Sequence, residues 1–188
     1  MAVWAAMVLS AFGQSQITYG AAKKSVPRIA VPDFRNADVS PNLMYAFNQT
    51  LWNDLNTSGI FSMVHKSVYP KAAPQQPSDF RRPQPATMQR ARGEEMLIPR
   101  TGGGLWMTDW SARPVNANFI VFGRIALQGG ILVLYGNLFD LSRPDPNPAS
   151  QPLSKQYLAA TVDENGARQI AHEFAADILK VFGFRVSR

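Results

Sequence analysis

The stretch that most constrains this chain is Phe119–Leu141, FIVFGRIALQGGILVLYGNLFDL, in which two strand-like runs meet at Gly129-Gly130. A glycine pair between β-rich runs predicts a hairpin with a two-residue turn, because such turns place both central residues at positive φ. That turn sets Leu127 opposite Leu132, Ile125 opposite Leu134 and Gly123 opposite Gly136. One face then carries Val121, Ile125, Leu127, Leu132, Leu134 and Leu138. The other mixes Phe122, Tyr135 and Phe139 with Arg124, Gln128 and Asn137, so it reads as half-wet, with helices on the opposite side only. Facing glycines mark a close approach by another backbone, most simply a helix.

The remaining elements follow from periodicity and punctuation. Arg28–Phe34 reads as a strand ended by Pro32. Ser40-Pro41 opens a helix, with serine as N-cap and proline at the first helical position. Leu43, Met44, Phe47, Leu51 and Leu55 form its buried stripe, Gly59 stops it, and Tyr45 and Trp52 lie off the stripe at the edge of a core. Ile60–Tyr69 is a second strand. Pro70–Gly104, with six prolines, reads as a long exposed insertion, and Leu105–Trp110 as a short aromatic turn or helix docked on the core. A last strand spans Lys155–Val162, with Leu158, Ala160 and Val162 on one face and Tyr157 and Thr161 on the other. Asp163 caps a final helix, Glu164–Phe182, whose stripe of Ala167, Ile170, Ala171, Phe174, Ala175, Ile178, Val181 and Phe182 is the clearest helical pattern present. The expected fold is α/β: a two-layer sandwich, a mixed sheet of about five strands with two long helices packed on one face.

Composition narrows the function. Of 188 residues, 46% are hydrophobic and 17% charged, which fits one folded domain with tails. The formal net charge is +6, and half of it lies in the insertion, where Lys71, Arg81, Arg82, Arg90, Arg92 and Arg100 face Asp79, Glu94 and Glu95. That segment is either a solvated loop or one that attracts acidic partners or anionic lipid. Basic residues clustered with aromatics on a folded face are missing, which argues against nucleic acid. There is no cysteine, so neither disulfides nor thiolate metal sites arise. Met1–Phe12 is apolar, too short to span a bilayer, and ends in Ala11-Phe12-Gly13, small residues where a signal peptidase cuts. Residues 1–13 therefore predict a signal peptide, the other reading being an apolar tail. Residues 14–27 then form a flexible amino-terminal tail and 28–188 one domain.

Chemistry is sparse. The Gly102-Gly103-Gly104 run lacks the Lys-Ser/Thr and preceding strand of a phosphate loop. His65 and His172 have no second ligand at helical spacing, and Ser10, Ser58 and Ser142 lack an elbow. Asp163-Glu164 suits a helix start. Asp33, Asp54 and Asp140 are not brought together by the pattern. No catalytic residue, cofactor site or metal site is expected, and the chain reads as a binding module.

Taken together, RIAVPDF (28–34), FNQTLWNDLNTSGIF (47–61), TDW and NANFIVFGRI (108–125), LFDL (138–141) and ARQIAHEFAADILKVFG (167–183) resemble the amino-terminal domain of the TolB family of the Tol-Pal envelope system. The resemblance covers Arg28–Gly183 apart from the insertion at 70–104, which is longer and more basic than the family's usual. It implies a non-enzymatic periplasmic protein-interaction domain, not membrane-spanning and monomeric. Such a domain would act in envelope integrity, protein import or transport, and cell division. In the family a six-bladed propeller follows and contacts the lipoprotein Pal, while the mature amino-terminal tail binds the inner-membrane protein TolA. A chain ending at Arg188, with no repeated strand blocks, would be a fragment or a separated domain, and a Pal-like partner is expected only if a propeller follows. By position, Gln14, Ser15, Gln16, Ile17, Thr18 and Tyr19 fall in the TolA-binding tail, which would either dock on its own domain or extend to a partner. The sheet face of Phe122, Arg124, Tyr135 and Phe139 is a second candidate surface, although Arg124 opposite Tyr135 also reads as a plain cross-strand stack. The alternative function is a stand-alone envelope adaptor regulating cell-wall synthesis or secretion, in the manner of outer-membrane lipoproteins; the lipobox cysteine such proteins carry is absent.

Overall fold

A computed structural model describes residues 26–81, 102–142 and 148–184. The central hairpin forms as the glycine pair dictates. β3 (Phe119–Gln128) and β4 (Ile131–Asp140) pair antiparallel in the expected register, including Gly123 against Gly136. Gly129 and Gly130 adopt φ of 58° and 78°, the left-handed turn that L side chains resist.

β1 (Arg28–Ala30) lies parallel to β3 and to β2 (Ser62–Met63). β5 (Leu153–Leu158) pairs antiparallel with β4, giving one five-stranded mixed sheet in the order β2-β1-β3-β4-β5. Asn118 ties the parallel pair together: its side-chain oxygen accepts from the Arg28 N–H at 2.8 Å, and its own N–H donates to the Arg28 carbonyl.

α1 (Pro41–Thr57) and α3 (Glu164–Val181) cover one face. α1 starts at Ser40-Pro41 as expected, although the Ser40 side chain makes no capping bond. Asp163 does cap α3, accepting from the Gly166 N–H at 2.9 Å. Met44, Phe47, Leu51 and Leu55 from α1 meet Ile170, Phe174 and Ile178 from α3 above Ile125, Leu132 and Leu134 of the sheet. Burial of such side chains stabilises by about 1.5–3 kcal/mol each. The expected α/β sandwich with both long helices on one face is present.

Four local expectations change. The segment after α1 pairs over two residues only, because His65 turns the chain into a short 3₁₀ turn at Lys66–Val68 by accepting from the Ser67 N–H. β5 presents its faces the other way round. Tyr157 enters the helix-side core against Phe174, at 5.5 Å between ring centroids, and Leu158 is 56% exposed. The Tyr157 hydroxyl reaches the edge to donate to Asp177 at 3.1 Å, so the side chain buries its ring and keeps only its tip polar. Leu127, expected in the core, lies exposed beside the hairpin turn.

The fourth change concerns the sheet face away from the long helices, which is not half-wet throughout. α2 (Met107–Ser111) and the segment 70–81 close one end of it in a second apolar cluster of Ala30, Val64, Phe80, Met107, Trp110, Ile120, Phe122 and Phe139. The described start of the insertion, residues 70–81, is thus partly a cover rather than an exposed loop; residues 82–101 lie outside the described residues. Trp110 is fully buried, as a docked aromatic turn predicts, and donates from its indole to the Gly104 carbonyl at 2.8 Å.

Candidate functional site

Where β1 ends, the chain turns outward through Pro32–Val39, and this turn is pinned from two sides. Asn48 of α1 accepts from the Phe34 N–H at 2.9 Å and donates to the Phe34 carbonyl at 3.0 Å. Asn36 donates to the Ile125 carbonyl on β3 at 2.6 Å. Extended backbone alternates its side chains. Phe34 is therefore buried while Asp33 and Arg35 project to solvent.

Three concavities surround this turn. One, of about 410 Å³, lies against the strap Tyr69–Gln75 and reaches Phe122 and Gly123. A second, of about 490 Å³, opens between Asn36–Val39 and the start of α1 at Pro41 and Met44. The third, of about 520 Å³, is lined by Tyr45, Asn48, Gln49 and Trp52 of α1 with His65 and Lys66. All three share Phe34 and Arg35. They sit at the carboxyl ends of the parallel strands, where open α/β sheets form their binding crevices.

Lys66 forms an ion pair with Asp33 and lies 4.7 Å from the centroid of the Trp52 ring. Tyr69 anchors the strap: its hydroxyl accepts from the Val31 N–H at 2.9 Å and donates to the Val64 carbonyl at 2.8 Å. Burial pushes its phenol up to about 12, with the Asp33 charge adding to the rise and the Val31 bond opposing it. The arrangement offers cations, an aromatic edge and shallow walls, suited to recognising another chain. Among the described residues no group of three His, Asp or Glu side chains is placed to hold a metal ion.

The residues singled out in the sequence are distributed differently. Gln14, Ser15, Gln16, Ile17, Thr18 and Tyr19 lie outside the described residues. Phe122 and Phe139 are each 1% exposed, with Phe80 edge-on to Phe122 at 5.3 Å and stacked on Phe139 at 5.4 Å between ring centroids, so their rings are core. Arg124 and Tyr135 remain together on the open part of that face as a cross-strand stack of 4.7 Å, and the Tyr135 hydroxyl donates to Gln128 at 3.0 Å. His172 meets Asp54 at 2.6 Å and joins α3 to α1. The groove around Arg35 was not anticipated. Its traces in the sequence are the apolar Phe34 flanked by Asp33 and Arg35, and the off-stripe Tyr45 and Trp52.

No protein-family model matches the chain, and no curated protein does. Among solved structures it is similar to TolB from Acinetobacter baumannii, with a TM-score of 0.49 and 18% identity. The likeness covers 84% of this chain and 28% of that one. No helix among the described residues is long and apolar enough to cross a membrane.

Proposed function

We propose that this chain is a non-enzymatic, periplasmic protein-interaction domain of a Tol-Pal-type system. It would serve envelope integrity, protein import and cell division through TolA-like and Pal-like partners. One observation carries this reading: the runs that resemble the TolB amino-terminal domain coincide with the joints of a single fold. Arg28–Phe34 makes β1 and the pinned turn, and Phe47–Phe61 carries α1 into β2. Thr108–Ile125 spans α2 and β3, and Ala167–Gly183 makes α3 and its glycine stop. Packing signatures spread over one architecture in this order are hard to obtain piecemeal.

In this reading residues 1–13 direct export and are removed. The tail 14–27 alternates between its own domain and a TolA-like partner, decided by a small free-energy difference. A Pal-like lipoprotein joins if a propeller follows the domain. Deleting the gene tests the role. Leakage of periplasmic enzymes and detergent sensitivity, reversed by the intact gene but not by one lacking codons 14–26, is the expected result. A deletion strain with an intact envelope and normal septation overturns it.

A further inference from the structure

We infer that the groove around Arg35 docks an extended acidic segment of a partner protein, a surface separate from the tail 14–27 and independent of the Tol-Pal reading. Its three concavities meet at Phe34 and Arg35, so a chain laid across them passes from Lys71 and Gln75, over Arg35, to Trp52 and Tyr45. The basic side chains on that path are Arg35, Lys66 and Lys71, and the single acidic one, Asp33, is already paired with Lys66. Arg35 and Lys71 have no carboxylate partner among the described residues. The path therefore presents uncompensated positive charge to an incoming segment.

The start of α1 adds to it. Pro41 lines the same path, the Ser40 side chain makes no cap, and the first turn carries no acidic residue. The free N–H groups and positive dipole end of a 17-residue helix are thus left for an external carboxylate. Tyr45, 69% exposed, and the Trp52 edge provide apolar contact between the charges. Because Asn36 and Asn48 already hold the turn, little ordering is required on binding. Arg35, Lys66 and Lys71 all line the concavity against the strap, and Lys66 is already held by Asp33. The three joined concavities, about 410, 490 and 520 Å³, extend far beyond one phosphate group, and an extended peptide with spaced carboxylates fills them.

The test uses the purified chain and a fluorescent peptide of about ten residues alternating Glu and Leu, at about 50 mM salt where screening is weak. Saturable binding is expected, at least about tenfold weaker for the twin peptide with Gln in place of Glu and weaker again at high salt. Arg35→Glu should lower affinity several-fold and Arg35→Glu with Lys71→Glu at least about tenfold, while Arg168→Glu on exposed α3, equal in charge change to the single Arg35→Glu, should do neither. The single Arg35→Gln replaces the pair if the double variant fails to fold. Three results overturn the proposal: no saturation into the millimolar range, equal loss in Arg168→Glu, or tighter displacement by an oligonucleotide of the same charge. Sedimentation showing a dimer that Arg35→Glu dissolves would overturn it too, making a second copy the occupant.

Discussion

Phe174 on α3 occupies the space that a side chain on Gly136 would need: a Cβ there would stand 2.7 Å from the ring's Cε2 and Cζ atoms. Across the hairpin, a Cβ on Gly123 would meet the Phe34 ring at 2.7 Å. The two rings, 6.3 Å apart, fill the hollow left by the facing glycines. Gly136→Ala should therefore cost about 1–3 kcal/mol through overpacking. Urea denaturation of Gly136→Ala, Phe174→Leu and the double variant checks it: the double should lose less than the sum, since one change makes room for the other.

Tyr69 fastens the strap that walls the groove. Tyr69→Phe removes the donor to the Val64 carbonyl and the acceptor of the Val31 N–H, and should destabilise by about 1–3 kcal/mol. Its folded pKa, about 12, lies above the 10.0 of an ordinary tyrosine. The associated stability is fully present below pH 10 and is lost as pH rises through the folded value. Denaturation midpoints of wild type and Tyr69→Phe should thus converge above pH 10.

Asp177 works in the opposite direction. Burial disfavours its charge, but hydrogen bonds from Lys155 and Lys180 outweigh this and hold its carboxyl below 3.8. A depressed carboxylate contributes stability above its unfolded pKa that is lost as pH falls through the folded one. Asp163, lowered chiefly by its bond from the Gly166 N–H, behaves alike. Asp177→Asn should be less stable than wild type at pH 7 and indistinguishable from it at the lowest pH at which both still fold, as read by thermal melts across the acid range.

Arg124 and Tyr135 stack on the open end of the sheet face without supporting the core. Arg124→Ala should lower stability by less than about 1 kcal/mol, the range of cross-strand pairs. A larger loss in chemical denaturation would mean that the pair holds more than a surface contact.

The hairpin, its register and both long helices were readable because each is set by neighbours in sequence: the Gly129-Gly130 turn, Ser40-Pro41, Asp163, and stripes at helical spacing. The covered face was not readable. Phe80, which seals Phe122 and Phe139, sits in a proline-rich stretch with no periodicity, and only tertiary packing reveals its role. The orientation of β5 was obscured by Tyr157, whose ring is apolar and whose hydroxyl is not. The groove escaped because its members come from the β1 exit, α1, the turn after β2 and the strap, and no local pattern links them.

The most direct measurement is a calorimetric titration of the protein purified from its own cells, its amino terminus mapped by sequencing, against the periplasmic part of a TolA-like protein from the same organism. Saturable one-to-one binding that disappears when residues 14–26 are removed is the predicted result. Unchanged binding without those residues, or none with them, contradicts the proposed role.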